Sequence, residues 1–384
     1  MHVRFLRAWY LHCNTPSQVD VDTHTVSKKE LTAVVEFGHG LFYTREEMMD
    51  STFLHRMANN NGWLMVAADW RGMSLFDLPI LMKVLLADPS LFRATLDNLI
   101  QGYVSKLCML HYVHNGMLDA EFLKFSEVMP PVENDLLRQD GPLLPIPRQE
   151  GGVSVNFYGI SQGGILGAGY NAMMSVTGLL HRSALGVPGT PFALIMGKSE
   201  DFNVFNDILL LNFYSKRHIK IMVSIIQMAW DTVEAASWLS PPVDEVPLPV
   251  LIQAGLADAE VPVSSAEILA RCYGAAILTG NPTDVYGLER VEGWEQGGIM
   301  GPSSALTEIL YQREVEEATK RAAEGQEDGG FNKVHYCVRH DPALQQQIVE
   351  FFKDGRIIDP CISDQCIRSQ AYCDTDFGRR RKDK

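Results

Sequence analysis

The chain has 384 residues, 46% hydrophobic and 21% charged, enough to bury a large core without a disulfide scaffold. Its formal charge of −14, from 33 Lys+Arg against 47 Asp+Glu, argues against a protein whose main task is gripping phosphate backbones. Collagen-like, coiled-coil and wholly disordered classes are excluded by composition, and no window of 18 or more apolar residues offers a membrane span. The one dense basic run, Arg379 to Lys382, reads as a solvated tail. Residues 1–10 carry Arg4 and Arg7 among apolar neighbours and lack the unbroken apolar stretch of a secretion signal.

In chain order, residues 31–37 (LTAVVEF) read as a buried strand ending at Gly38, followed by a helix over about 46–60. Residues 63–68 (WLMVAA) read as a second strand, and 91–118 as a long helix. The stretch 126–152, rich in Pro and acidic residues, reads as a surface excursion. Residues 153–158 (VSVNFY) are a third strand, leading into a helical stretch over 163–180. Residues 191–242 read as an apolar helical insertion, strongest at 204–214 and 218–230. A late strand, 250–254, lies between Pro249 and Gly255; helices over 264–272 and 342–353 follow. Strands alternating with helices predict α/β class, a mostly parallel sheet with helices on both faces. The nearly continuous apolar strands fit burial on both sides. The expected organisation is one domain over 1–354, with the 191–242 insertion over the C-terminal strand ends, and a Cys-containing basic tail over 355–384.

The informative segment is Gly159-Ile160-Ser161-Gln162-Gly163. A strand runs into it and a small-residue helix runs out, with Gly164, Gly167 and Gly169 beyond. A serine hydroxyl is a poor nucleophile unless held exposed beside a base. A tight strand-to-helix turn holds it so, and flanking glycines relieve the crowded backbone. The helix N-terminus adds partial positive charge where an oxyanion would form. The plainer alternative is a glycine-rich turn whose serine caps a helix.

With this pentapeptide the sequence resembles the α/β-hydrolase fold. Phe37-Gly38-His39-Gly40-Leu41 is similar to the His-Gly loop that supplies an oxyanion donor there. The resemblance implies an oxyanion hole from the backbone N–H groups of Leu41 and Gln162. Asp69-Trp70-Arg71-Gly72 is similar to a structural turn of these hydrolases. Chain order in the fold is nucleophile, acid, histidine. Asp258, in the loop after the late strand, fits the acid that orients the imidazole, with Glu260 as a nearby rival. The base is then His335 or His340, the two histidines after Asp258, both expected on the loop before the last helix, which Asp341 and Pro342 open. Spacing favours His340. A second resemblance favours His335: the segment 335–366 looks like the C-terminal part of a poorly characterised bacterial-type hydrolase-like family, with a His, an Arg four residues on, a helix ending in Phe, and a closing Cys pair. It implies a Cys361–Cys366 disulfide, which needs an oxidising compartment, and export, although no signal is legible and the first strands read as absent or divergent.

His111 and His114, three apart on a helix, could be half a metal site, but no third ligand is suggested, and no spaced metal motif or phosphate-cradling loop is present. No cofactor is expected. The sequence thus predicts a serine hydrolase of carboxylic esters, carboxylesterase- or lipase-like, with Ser161, His335 and Asp258 as triad. The apolar insertion points to an apolar acyl group and a small-molecule ester or lipid-like substrate, with no nucleic acid. Thioester and peptide bonds use the same chemistry. The alternative is a non-catalytic binding protein on the same scaffold, told apart by whether a late imidazole reaches Ser161.

Overall fold

A computed structural model describes residues 4–5, 31–117, 153–213, 215–239, 248–293, 302–325, 331–361 and 366–369. The 126–152 excursion, Cys373 and the basic run at 379–382 lie outside them.

The N-terminal half is built from β1 (Arg4–Phe5), β2 (Ala33–Gly38), α1 (Glu47–Asp50), α2 (Thr52–Asn61), β3 (Trp63–Ala67), α3 (Leu78–Ala87) and α4 (Arg93–Tyr112). Then come β4 (Ser154–Ile160), α5 (Gln162–Met174), β5 (Arg182–Gly186), α6 (Phe192–Lys198), α7 (Asn203–Asn212), α8 (Lys216–Trp230) and α9 (Ala235–Trp238). The C-terminal part holds β6 (Val250–Gly255), α10 (Val263–Cys272), β7 (Ala276–Leu278), β8 (Arg290–Val291), β9 (Ala305–Tyr311), α11 (Gln312–Ala323), α12 (Val334–His340), α13 (Pro342–Asp354) and β10 (Ile367–Arg368).

The strands form one sheet in the order β1-β3-β2-β4-β5-β6-β9-β7-β8, with β10 also on β9. Every pairing is parallel except β1 on β3. From β2 to β3 the chain steps one way along the sheet, and from β4 to β5 the other. Right-handed crossovers therefore put α2 on one face and α5 on the opposite face. The order reverses between β2 and β4, so their C-terminal ends open the crevice where such sheets bind ligands. This is the α/β architecture the alternating pattern predicts. The single helix expected over 46–60 is two, because Ser51 takes an extended conformation (φ −87°, ψ 102°) between them. Among the described residues after Asp354, Ile367 and Arg368 pair with β9. Arg368, on β10, pairs with buried Asp341 at 3.0 Å, and Asp341 caps α13 through the Ala343 N–H.

One polar cluster is sealed in the core. The Lys106 ammonium of α4 donates to Glu36 of β2 at 2.9 Å and lies 4.1 Å from the centroid of the Trp70 ring. Tyr170 of α5 donates to the other Glu36 oxygen at 3.0 Å. Both charged side chains are 0% exposed, so neither can turn to water when its partner is lost. Lys106→Ala is therefore expected to lower unfolding free energy by about 3–5 kcal/mol in urea denaturation. A loss below about 1 kcal/mol would contradict this reading.

Candidate active site

The bend at Ser161 follows from three backbones with no room for side chains. A Cβ on Gly159 would meet the Gly163 carbonyl oxygen at 2.2 Å, and a Cβ on Gly163 would meet that of Gly38 at 2.1 Å. With hydrogen at those positions, β4 passes into α5 through one residue. Ser161 takes φ 58° and ψ −125°, a conformation L-residues avoid. Its N–H donates to Gly186 at 2.9 Å, and its carbonyl accepts from Gly164 and Ile165. Together with the sheet order, this turn makes the α/β-hydrolase fold.

The loop after β2 is locked by His39. The Trp70 N–H donates to its Nε2 at 2.9 Å, so Nδ1 carries the proton and donates to the Gly40 carbonyl at 2.9 Å. Burial pulls the His39 pKa down to about 4, so the ring is neutral and structural. The Gly40 N–H donates to Glu47 at 2.7 Å. Leu41, the next residue, is half-buried and its N–H has no acceptor among the described residues. Gln162 is the first residue of α5, where an N–H has no intrahelical acceptor. Its side chain donates to Met73 at 2.8 Å, tying α5 to the turn after β3. Asp69 in that turn pairs with Arg45 and accepts its N–H, a structural duty.

Beyond β6, Asp258 and His335 meet directly. Nδ1 of His335 lies 2.7 Å from Oδ2 of Asp258, and Asp258 Oδ1 accepts the Glu260 and Val261 N–H groups. Gly255 makes this contact possible. A Cβ there would meet Val334 at 2.3 Å, so α12 can pack against the end of β6 only over a glycine. Asn332 clamps the junction, donating to Ala257 and accepting from Val334. Both late histidines lie on α12 rather than on a loop, because the stretch after Asn332 completes two helical turns before Asp341 starts the next helix. Five residues along a helix are about 140° around it. His340 accordingly points elsewhere, its ring against Phe53 and Tyr336.

The far side of the imidazole is acidic. Glu260 Oε2 is 3.5 Å from His335 Nε2, and Nε2 has no hydrogen-bond partner among the described residues. Ser161 and His335 are thus not hydrogen-bonded to each other here. Glu47, which holds Gly40, also faces Arg339 at 3.8 Å. Burial raises the pKa of Glu47 against the pull of Arg339, and that of Glu260 against the pull of His335. For His335, burial acts downward, but the charge and hydrogen bond of Asp258, with the charge of Glu260, outweigh it and the pKa is raised. Glu47 and Asn332 are not marked by the sequence, and Gly255 is marked there only as the strand boundary before Asp258. No motif spacing carries Glu47 or Asn332, and the spacing of Gly255 to Asp258 does not show that α12 packs on that glycine.

His111 is exposed, and His114 Nε2 lies 2.9 Å from the Leu179 carbonyl oxygen. Among the described residues one group has metal-ligand spacing, Asp359, Cys361 and Cys366, and there the two sulfurs are bonded to each other as a disulfide.

No protein-family model matches the chain, and no curated protein matches it. Solved structures resemble it at low identity. An acylaminoacyl peptidase from Pyrococcus horikoshii is 11% identical over 86% of this chain, with a TM-score of 0.39. This chain spans 38% of that peptidase. An esterase from Pyrobaculum calidifontis is 16% identical over 85% of this chain and 77% of its own, with a TM-score of 0.38. Esterase B from Lactobacillus Rhamnosis is 11% identical over 92% and 84%, with a TM-score of 0.41.

The charges around His335 make a testable titration. A folded-state pKa above the usual histidine value of about 6.5 means that the bound proton stabilises the fold at low pH. That contribution is lost as pH rises through the raised pKa. NMR titration of the His335 imidazole is expected to give a midpoint above about 6.5, and Glu260→Gln is expected to lower it. A wild-type midpoint at or below that value would contradict the geometry.

Proposed function

We propose that the protein is a serine hydrolase that cleaves carboxylic esters with an apolar acyl group. The observation that carries this reading is the strained Ser161 at the end of β4, on the sheet edge where His335 and Asp258 are paired. Ser161 Oγ attacks the acyl carbon while His335 Nε2 takes its proton. Asp258 keeps Nδ1 protonated and stabilises the imidazolium. The oxyanion accepts from the Leu41 and Gln162 N–H groups. Collapse expels the alcohol, protonated by His335, and leaves an acyl-enzyme. Water, deprotonated by the same imidazole, then releases the acid.

The apolar preference is supported by aromatic packing beside the oxyanion loop. Phe42 lies 5.7 Å from Phe205 of α7, and the chain of rings continues through Phe202 and Phe192 to Trp230. A binding protein on a hydrolase scaffold is the second reading, favoured by the unbonded His335 Nε2.

Hydrolysis of p-nitrophenyl esters of rising acyl length separates the two. The enzyme reading expects turnover that improves with chain length and rises as pH passes the His335 pKa. Ser161→Ala and His335→Ala are each expected to lower kcat by about 10³-fold or more, and His340→Ala to change it only a few-fold. An active His335→Ala protein would overturn the assignment of the base. No turnover at any chain length would favour the binding reading.

A further inference from the structure

One cavity in the structure is not lined by Ser161. It encloses about 730 Å³ between α6, α7 and α8, and none of Ser161, Asp258 or His335 lines it. That volume is in the range of small-molecule sites. Its wall is mixed: Leu210 with the buried Ile219 and Val223 forms an apolar part, and Asn203, Asn206 and Ser224 a polar one. Its cations are Lys198, Lys216 and Lys220, facing one anion, Asp207.

Three features distinguish these lysines from ordinary surface charge. They come from two different helices, α6 and α8, and converge on one space. None of their ammonium groups is hydrogen-bonded or ion-paired within the described residues. They also sit in a chain of net charge −14, where an excess of cations around one cavity runs against the composition. Lys216 and Lys220 are one turn apart on α8, so both heads can reach a single anionic group. Ile219 and Val223, three and seven residues after Lys216, lie on the same face of α8 and supply apolar lining beside the lysines. Charge and apolar surface side by side match a ligand with a charged head and a hydrocarbon tail.

We propose that this cavity is a binding site for a long-chain carboxylate, with its head on Lys198, Lys216 and Lys220 and its alkyl chain along Leu210, Ile219 and Val223. The site is separate from the Ser161 machinery, so it stands whether or not the protein hydrolyses esters.

Isothermal titration calorimetry on the full chain tests this, with laurate below its micelle concentration as probe. Saturable one-to-one binding is expected, tightening roughly fourfold per added methylene along a fatty-acid series. The Lys216→Glu/Lys220→Glu double variant alters exposed positions, and circular dichroism checks its fold. It is expected to bind laurate at least about tenfold more weakly. Dodecanol, which lacks the charge, and acetate or inorganic phosphate, which lack the chain, are expected to bind much more weakly than laurate. Four results would overturn the proposal. They are no laurate binding, laurate binding unchanged in the double variant, dodecanol binding as tightly as laurate, and acetate or phosphate binding as tightly as laurate. The wild-type ligand comparison decides the matter even if the double variant misfolds.

Discussion

At the centre of the molecule three glycines let backbones touch. A side chain on Gly159 or Gly163 would strike a carbonyl oxygen and one on Gly38 the Phe157 ring, and the chain between Gly159 and Gly163 must turn in one residue. That residue is Ser161, held at positive φ by its bond to Gly186. A backbone in such a region costs about 1–3 kcal/mol, which the buried strands on either side must offset. The strain exists because β2, β4 and β5 are parallel neighbours whose C-terminal ends leave no other path into α5. Everything proposed about chemistry depends on that turn, because it sets where the hydroxyl stands relative to the N–H groups of Leu41 and Gln162.

A second close approach does the same for the base. Val334 rests on Gly255, which brings α12 to the end of β6 and His335 onto Asp258. Between the two lies Glu47, bonded to the loop after β2 through Gly40 and facing Arg339 of α12. Helix α7 meets the same loop through Phe42 and Phe205. The loops after β2, β4 and β6 and helix α12 are thus each held by a contact that tolerates little change. Glu260 near Nε2 gives the imidazole a second carboxylate and leaves it free of the serine in this structure.

Much of this was legible in the residue order. The strands with nearly continuous apolar runs, β2, β3, β4 and β6, are buried and parallel as the sequence predicts, although Glu36, Asn156 and Gln253 interrupt three of them. The strands without that signature did not. β9 carries Thr307 and Glu308 inside its run, and both are buried, with Glu308 accepting from Thr283 and Asn281. β5 is five residues with Arg182 and Ser183 at its start. A polar residue satisfied in the interior looks the same in sequence as one in water. The choice between His335 and His340 was open for a related reason. Spacing from the last helix cannot tell which side of a seven-residue helix faces the acid, and that depends on Val334 meeting Gly255.

The most direct test is activity-based labelling of the intact protein with a fluorophosphonate, followed by peptide mapping of the modified residue. The account predicts a single adduct on Ser161, formed in the wild type and suppressed in His335→Ala. An unlabelled protein, or an adduct on another residue with Ser161 unmodified, would contradict it.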